Sequence, residues 1–186
     1  IGVDAEALGF NSLAMHHGVT DTTSSQSMAI GHGAKVTADN GIAIANNGAS
    51  SIGGVFTPAN TTLVSGHFST AIGFDTTVSA DNAVAIGGSN KATAIGATVL
   101  GQNSTASGAS SMALGVGSIA SAERALALGG ASSAGKYSLA AAGAITETAA
   151  ENAFAVGKDA KASLADSVAL GSASVANTAS GAKGYD

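Results

Sequence analysis

Residues 69–101 read STAIGFDTTVSADNAVAIGGSNKATAIGATVLG, three passages through one pattern that ends each time on a glycine, Gly73, Gly87 and Gly101. The spacing of fourteen continues without a miss through Gly115, Gly129, Gly143, Gly157 and Gly171. A fixed short period is the signature of a solenoid, in which each coil buries its apolar side against the coils above and below. A long uniform rod is a poor place for a catalytic pocket and a good spacer or contact surface.

The residue before each glycine is Ile72, Ile86, Leu100, Leu114, Leu128, Ala142, Val156 or Leu170, and a looser apolar column stands two places earlier, from Thr70 and Val84 to Phe154 and Val168. Between them run Ala71, Ala85, Val99, Ala113, Ala127, Ala141, Ala155 and Ala169. Alternation with period two means a strand with larger residues on one face and alanines on the other. The five-residue windows ending at these glycines hold no charged residue, which predicts burial on both faces. A second strand is expected three to seven residues after each glycine. There Val78, Ala92, Ala106, Ala120, Ala134, Thr148, Ala162 and Ala176 are small enough to meet the Ile/Leu column across a thin core, while Lys91, Glu147 and Lys161 mark a solvent side. On this reading the alanine face packs on another subunit, and Ala127→Glu disrupts assembly. The glycine supplies the positive φ that a tight turn needs. About twelve coils at an interstrand spacing of roughly 4.8 Å predict a rod of about 55 to 60 Å.

Upstream, Ser27-Met-Ala-Ile-Gly31 is a full copy, Ile42-Ala-Ile-Ala45 a partial one, and Asn11-Ser-Leu-Ala-Met-His16 has His in the glycine place. The last lies fifteen residues before Gly31, so one residue is inserted near Asp21 to Gln26. Residues 1–186 read as a single unit of this kind. Within it 46–68 are degenerate coils or an inserted loop, where Pro58 argues against a regular ladder.

Composition agrees with a thin, regular core: 4% aromatic, 10% charged, 26 glycines, one proline and no cysteine. Small side chains cannot fill a thick globular core, and the low charge is unlike a disordered segment. A net charge of -5 leaves no basic footprint for nucleic acid or anionic lipid. No run of about 18 apolar residues predicts a membrane-spanning helix. Ile1-Gly2 already looks like the repeat's core pair, so the chain reads as a piece of a longer protein whose export signal and anchor lie elsewhere.

Ser27-Met-Ala-Ile-Gly31, Ser111-Met-Ala-Leu-Gly115 and Ser167-Val-Ala-Leu-Gly171 closely resemble the head repeat of trimeric autotransporter adhesins of Gram-negative bacteria, the YadA-like head. The resemblance covers nearly the whole chain. It implies an all-β, left-handed parallel β-roll of 14-residue coils, assembled as a side-by-side homotrimer. Such heads sit on the bacterial cell surface, carried by a stalk and an outer-membrane anchor, neither of which is recognisable here. They bind extracellular matrix proteins or host cells, and some promote autoaggregation. Departures are the stretch 46–68 and the end, where Tyr185 takes the next glycine place.

His16, His17, His32 and His67 show no metal-ligand spacing, and adjacent His16 and His17 are expected on opposite sides of a strand. Only three symmetry-related copies of His16 offer an ion site. Asp75, Asp81, Glu123, Glu147, Glu151, Asp159 and Asp166 fall mainly in turns or on the outer strand, as solvated residues rather than the paired acids of a hydrolase cleft. Gly53-Gly54 and Gly87-Gly88 lack the Lys-Ser/Thr of a phosphate loop. Asn60 and Asn103 fit glycosylation acceptors, which carries little weight in a bacterial surface protein. Lys35, Lys91, Lys158 and Lys161 read as solvated residues, or in a trimer as basic stripes attracting acidic ligands. The expectation is therefore no enzyme, no metal and no cofactor, with homotrimer partners, host matrix or cell receptors outside it, and no direct membrane contact by this segment. The ligand-binding residues are not legible. The alternative is a non-binding spacer whose adhesive site lies elsewhere. Ice binding is disfavoured by mixed Ser, Asn, Thr and Ala columns, and the hexapeptide acyltransferases by the fourteen-residue period.

Overall fold

A computed structural model describes Gly2 and residues 4–45 and 61–178. Short strands alternate between two parallel sheets, each strand pairing with the next but one in the chain. Among the described residues sheet 1 has eleven strands, from Leu13–Met15 to Val168–Leu170, and sheet 2 has twelve, from Glu6–Ala7 to Val175–Ala176. The register is that of the repeat, with Ala85 beside Ala71 and Val99, and Lys91 beside Thr77 and Thr105. Two strands and two turns make one coil, about eleven coils make the rod, and at ~4.8 Å per step the rod is about 50 Å long.

The two faces of sheet 1 are the reverse of the sequence expectation. Ala71, Ala85, Val99, Ala113, Ala127, Ala155 and Ala169 are 0% exposed and lie inside the coil, opposite Val78, Ala92, Ala106, Ala120 and Ala162 of sheet 2. The larger column points out, with Ile86 39%, Leu100 41% and Leu170 60% exposed. A period of two says that there are two faces and not which is inside. Two sheets joined by short turns every fourteen residues leave room for alanine and valine only. Extra methylenes forced into a packed interior cost about 1 to 3 kcal/mol.

Both corners of the coil are sealed by buried hydroxyls and amides. Thr62, Thr76, Asn90 and Ser104, small polar residues inside the rod, donate to the carbonyls of Gly73, Gly87, Gly101 and Gly115 at 2.6 to 2.8 Å. Asn90 Oδ1 also accepts from the Ser104 amide at 3.0 Å. At the other corner the serine that opens the repeat does the same work. Ser27 donates to the Ala38 carbonyl at 2.9 Å and Ser69 to the Ala80 carbonyl at 2.8 Å. A carbonyl left unpaired in such a place costs about 1 to 3 kcal/mol.

The glycine column serves two needs at once. Gly73, Gly87 and Gly101 have φ of 136°, 125° and 145°. A Cβ on each would also stand 1.8, 1.7 and 2.0 Å from the carbonyl oxygen of the glycine one coil on. Gly129 and Gly143 keep the spacing but not the role, since they have φ of 64° and 75° and the atom nearest a built Cβ is 3.9 and 3.8 Å away, an ordinary contact. Here the register departs from the period. Leu126 pairs with Leu139 and Ser132 with Ile145, thirteen residues apart, and then Leu139 pairs with Phe154 at fifteen and Ile145 with Lys161 at sixteen. Two shortened coils and one lengthened one cancel. The structure therefore replaces the expected column members: Leu139-Ala140-Ala141 align with Leu126-Ala127-Leu128, and Ser133 and Thr146 take the inner places expected of Ala134 and Thr148. Ala142 sits in the turn at φ 58°.

Strand Ile42–Ala45 pairs directly with Thr70–Gly73, and Ala34–Val36 with Thr62–Val64. Residues 62–68 thus belong to the regular stack. The rest of the expected irregular stretch, 46–60 with Pro58, Gly53-Gly54 and Asn60, lies outside the described residues, as does Tyr185.

The glycines are predicted to separate in stability. Gly87→Ala meets both a positive φ and a backbone oxygen and lowers the thermal midpoint severely. Gly143→Ala meets only the left-handed penalty of about 1 to 2 kcal/mol. Equal melting shifts for the two would contradict these roles.

Candidate functional site

The outward face of sheet 1 carries two ladders along the whole rod. One runs through Met15, Ile30, Ile44, Ile72, Ile86 and Leu100 to Leu170, the other through Leu13, Met28, Ile42 and Val84 to Phe154 and Val168. Threonines 70 and 98 are the polar exceptions in the second ladder up to that point. Two same-face residues on a strand lie about 7 Å apart, so the ladders form an apolar stripe roughly 50 Å long. Stacked neighbours shade one another, which is why large aliphatic side chains here are only about two-fifths exposed in mid-rod. A stripe of this extent is in the range where an open apolar surface marks an interaction site.

The corner that leads into sheet 1 is a second repeated surface. Asn40, Phe68, Asn82, Ser110, Arg124 and Tyr137 hold φ of 54° to 57° there, a left-handed turn in which Asn is well tolerated. The turns bond coil to coil, as when the Asn82 amide donates to the His67 carbonyl at 2.9 Å. Asp39 and Asp81 accept amide hydrogens of the preceding coil, from Ser25 at 2.6 Å and His67 at 2.9 Å. Arg124 lies over the Tyr137 ring at 5.4 Å, and Lys136 pairs with Glu123 at 3.6 Å.

Sheet 2 turns a mixed surface outward. Lys35, Lys91 and Lys161 share one column there, separated by other strands, while Lys158 stands at a corner. Lys161 pairs with Glu147, which lies beside a shallow open groove lined by Ser132, Ile145, Thr146 and Thr148. The Lys161 ammonium, and after it the Ser163 hydroxyl, hold the Glu147 carboxyl below the usual range. A depressed carboxyl stabilises the fold above its ordinary pKa and loses that contribution as pH falls through the folded value.

The other polar residues are dispersed. Asp75 and Asp159 occupy left-handed turns at φ 50° and 61°, as does Asn103 at 54°. Asp166 accepts from Asn152 at 3.1 Å, and Glu151 is exposed. His16 and His17, expected on a strand, instead lie in a turn with φ of 48° and 62°, their rings 5.2 Å apart, and His17 packs on His32 at 5.4 Å. The turn replaces the glycine corner, so the side chains do not alternate across a sheet. His17 lies 3.7 Å from Asp4, and His67 lies 4.0 Å from Asp39 on a different coil. Among the described residues no group of three or more His, Asp or Glu side chains has the arrangement of a metal site. Sequence reasoning missed the apolar stripe by placing it inside. The available signal was side-chain volume, because a coil this short cannot enclose Ile and Leu.

The fold is a parallel β-solenoid with a continuous apolar lateral face. A family model, the YadA head domain repeat, matches residues 23–44, 65–90, 92–118, 106–132 and 149–174. With more than half of its length matched, the chain belongs to the YadA head family. The matches skip 133–148, where the coils change length. No curated protein matches the chain closely enough to count as a relative.

Lys161→Ala is predicted to move the Glu147 carboxyl titration upward, measured by carboxyl NMR, with loss of the acid-side stability contribution from this pair. An unmoved titration would show that the pair does not hold the carboxylate.

Proposed function

We propose that this chain is the head of a trimeric surface adhesin. Three copies wind as left-handed rolls and pack side by side with their sheet 1 stripes toward a common axis, leaving sheet 2 and the corners to meet extracellular matrix proteins or host cells. The observation that carries the reading is the apolar stripe. It runs the length of the rod, bears no charge from Leu13 to Leu170, and lies on one side only, while the charged columns lie on the other side and at the corners. A stripe that follows the rod axis suits an identical rod laid alongside, since both have the same length and spacing. Threefold association also multiplies weak contacts along equivalent surfaces and raises avidity without a deep pocket. Expected localisation is the cell surface, and the expected role is non-enzymatic.

The purified chain, 17.5 kDa, is predicted to sediment as three copies and to retain immobilised collagen, fibronectin, laminin or host cells in a binding screen. A trimer that binds none of these, while the full-length surface protein does, would overturn the adhesive assignment in favour of a spacer. A monomeric mass would overturn the assembly.

A further inference from the structure

We propose that the corners of this chain lock neighbouring copies in register, with Phe68 of one copy against Phe74 of the next and Glu151 against Lys158. The lock rests on the side-by-side assembly proposed above and adds what fixes its height. Phe68 and Phe74 flank the strand Thr70–Gly73, one at the corner before it and one at the corner after it, and are 65% and 41% exposed. Glu151 and Lys158 flank Phe154–Val156, both exposed, with Lys158 in the place of Phe74 and Glu151 one residue before the place of Phe68. Neither joins an ion pair within the described residues, whereas Lys136 and Lys161 have acidic partners in the chain.

A closed ring of parallel rods is related by rotation alone, without translation along the axis. The corner before a strand in one copy therefore meets the corner after the same strand in the next. In that register an aromatic meets an aromatic at one coil and an acid meets a base at another, six strands further along the described sheet. Charged Asp81, Glu123, Arg124 and Lys136 each face an uncharged turn, formed by Gly88-Ser89, Gly129-Gly130 and Ala142-Gly143 respectively along the rod. Asn152, beside Glu151, meets Asp159 with an amide rather than a charge.

A slip of one coil in one direction sets Lys136 opposite Lys158, and in the other sets Asp81 opposite Asp75 while bringing Asp166 to the Lys158 turn. Either slip also separates both matched pairs. Apolar ladders repeating at every coil cannot by themselves distinguish one height from the next, and a heterologous contact that slips runs on as an open filament. Exposed charge pairs and like-charge penalties are the usual means of fixing register and excluding wrong partners. Against the first slip both pairs and the Lys136–Lys158 contact discriminate; against the second, where Asp166 takes the place of Glu151, the aromatic pair and the Asp81–Asp75 contact do.

The chain has no cysteine, so paired cysteine variants report the register directly. Glu151→Cys with Lys158→Cys, and separately Phe68→Cys with Phe74→Cys, are oxidised or treated with a short bis-maleimide and run on denaturing gels. Within one copy each pair spans the width of sheet 1, on the order of 20 Å, beyond the ~7 Å reach of a disulfide. Covalent trimers from both in-register variants are expected, with little cross-linking from the slipped control, Lys136→Cys with Lys158→Cys. A trimeric mass without in-register cross-links, or with the control cross-linking as well as they do, overturns the lock and leaves the assembly standing. A monomeric mass for the reduced variants and the parent chain removes the assembly itself, and the lock with it.

Discussion

The rest of the structure depends on how little space a coil encloses. Two short strands and two tight turns bring the sheets so close that the interior accepts a layer of alanine and valine and nothing larger, apart from small polar groups bonded to the turns. Everything larger is turned outward. The protein thus has a rigid, hydrogen-bonded interior of small groups and an aliphatic surface that a globular domain would have kept for its core. Burial of those aliphatic side chains, at roughly 25 cal/mol per Å² of apolar surface, remains available to association. The contact face follows from the thinness of the coil rather than from any single residue.

Much of this was legible in the chain. The fourteen-residue glycine spacing gives the solenoid, period-two alternation gives its strands, and Ser111-Met-Ala-Leu-Gly115 and its copies give the family. The sign of the faces was not legible from alternation, because an Ala-in and an Ala-out strand have the same pattern. Nor were the bonds of Thr76, Asn90 and Ser104 legible, each buried against a turn carbonyl of the next coil. A sequence shows that such a residue can donate a hydrogen bond, but the partner is eleven residues away and comes near only when the coils stack. Ligand-contacting positions stayed illegible because the outer columns of sheet 2 change chemistry from coil to coil, as from Lys91 to Thr105 to Ile119.

The coils around residues 129–150 show how a perfect period conceals a local change. Two turns are shortened and a later one lengthened, so the glycines stay on beat while the strands do not. At that place the buried apolar core divides into two clusters, one ending at Ala127 and one beginning at Ala131. Ser133, Ser138 and Thr146 fill the seam with a hydroxyl network at 2.8 to 3.3 Å. Every hydroxyl there has a partner, so the seam is satisfied rather than broken. In a solenoid, where each coil is stabilised chiefly by its neighbours, the seam is the natural limit of cooperativity along the rod.

The central claim is that alanines face inward and the large aliphatic residues face out, and it is tested by comparing Ala127→Glu with Leu128→Glu, adjacent residues on one strand. Circular dichroism and sedimentation are measured on both. Leu128→Glu is predicted to keep the β signal while losing association, since its carboxylate has solvent to enter. Ala127→Glu is predicted to lose the folded signal, because a buried, unpaired charge costs several kcal/mol. A folded, dissociated Ala127→Glu beside an unfolded Leu128→Glu would contradict the account and return the alanines to the surface.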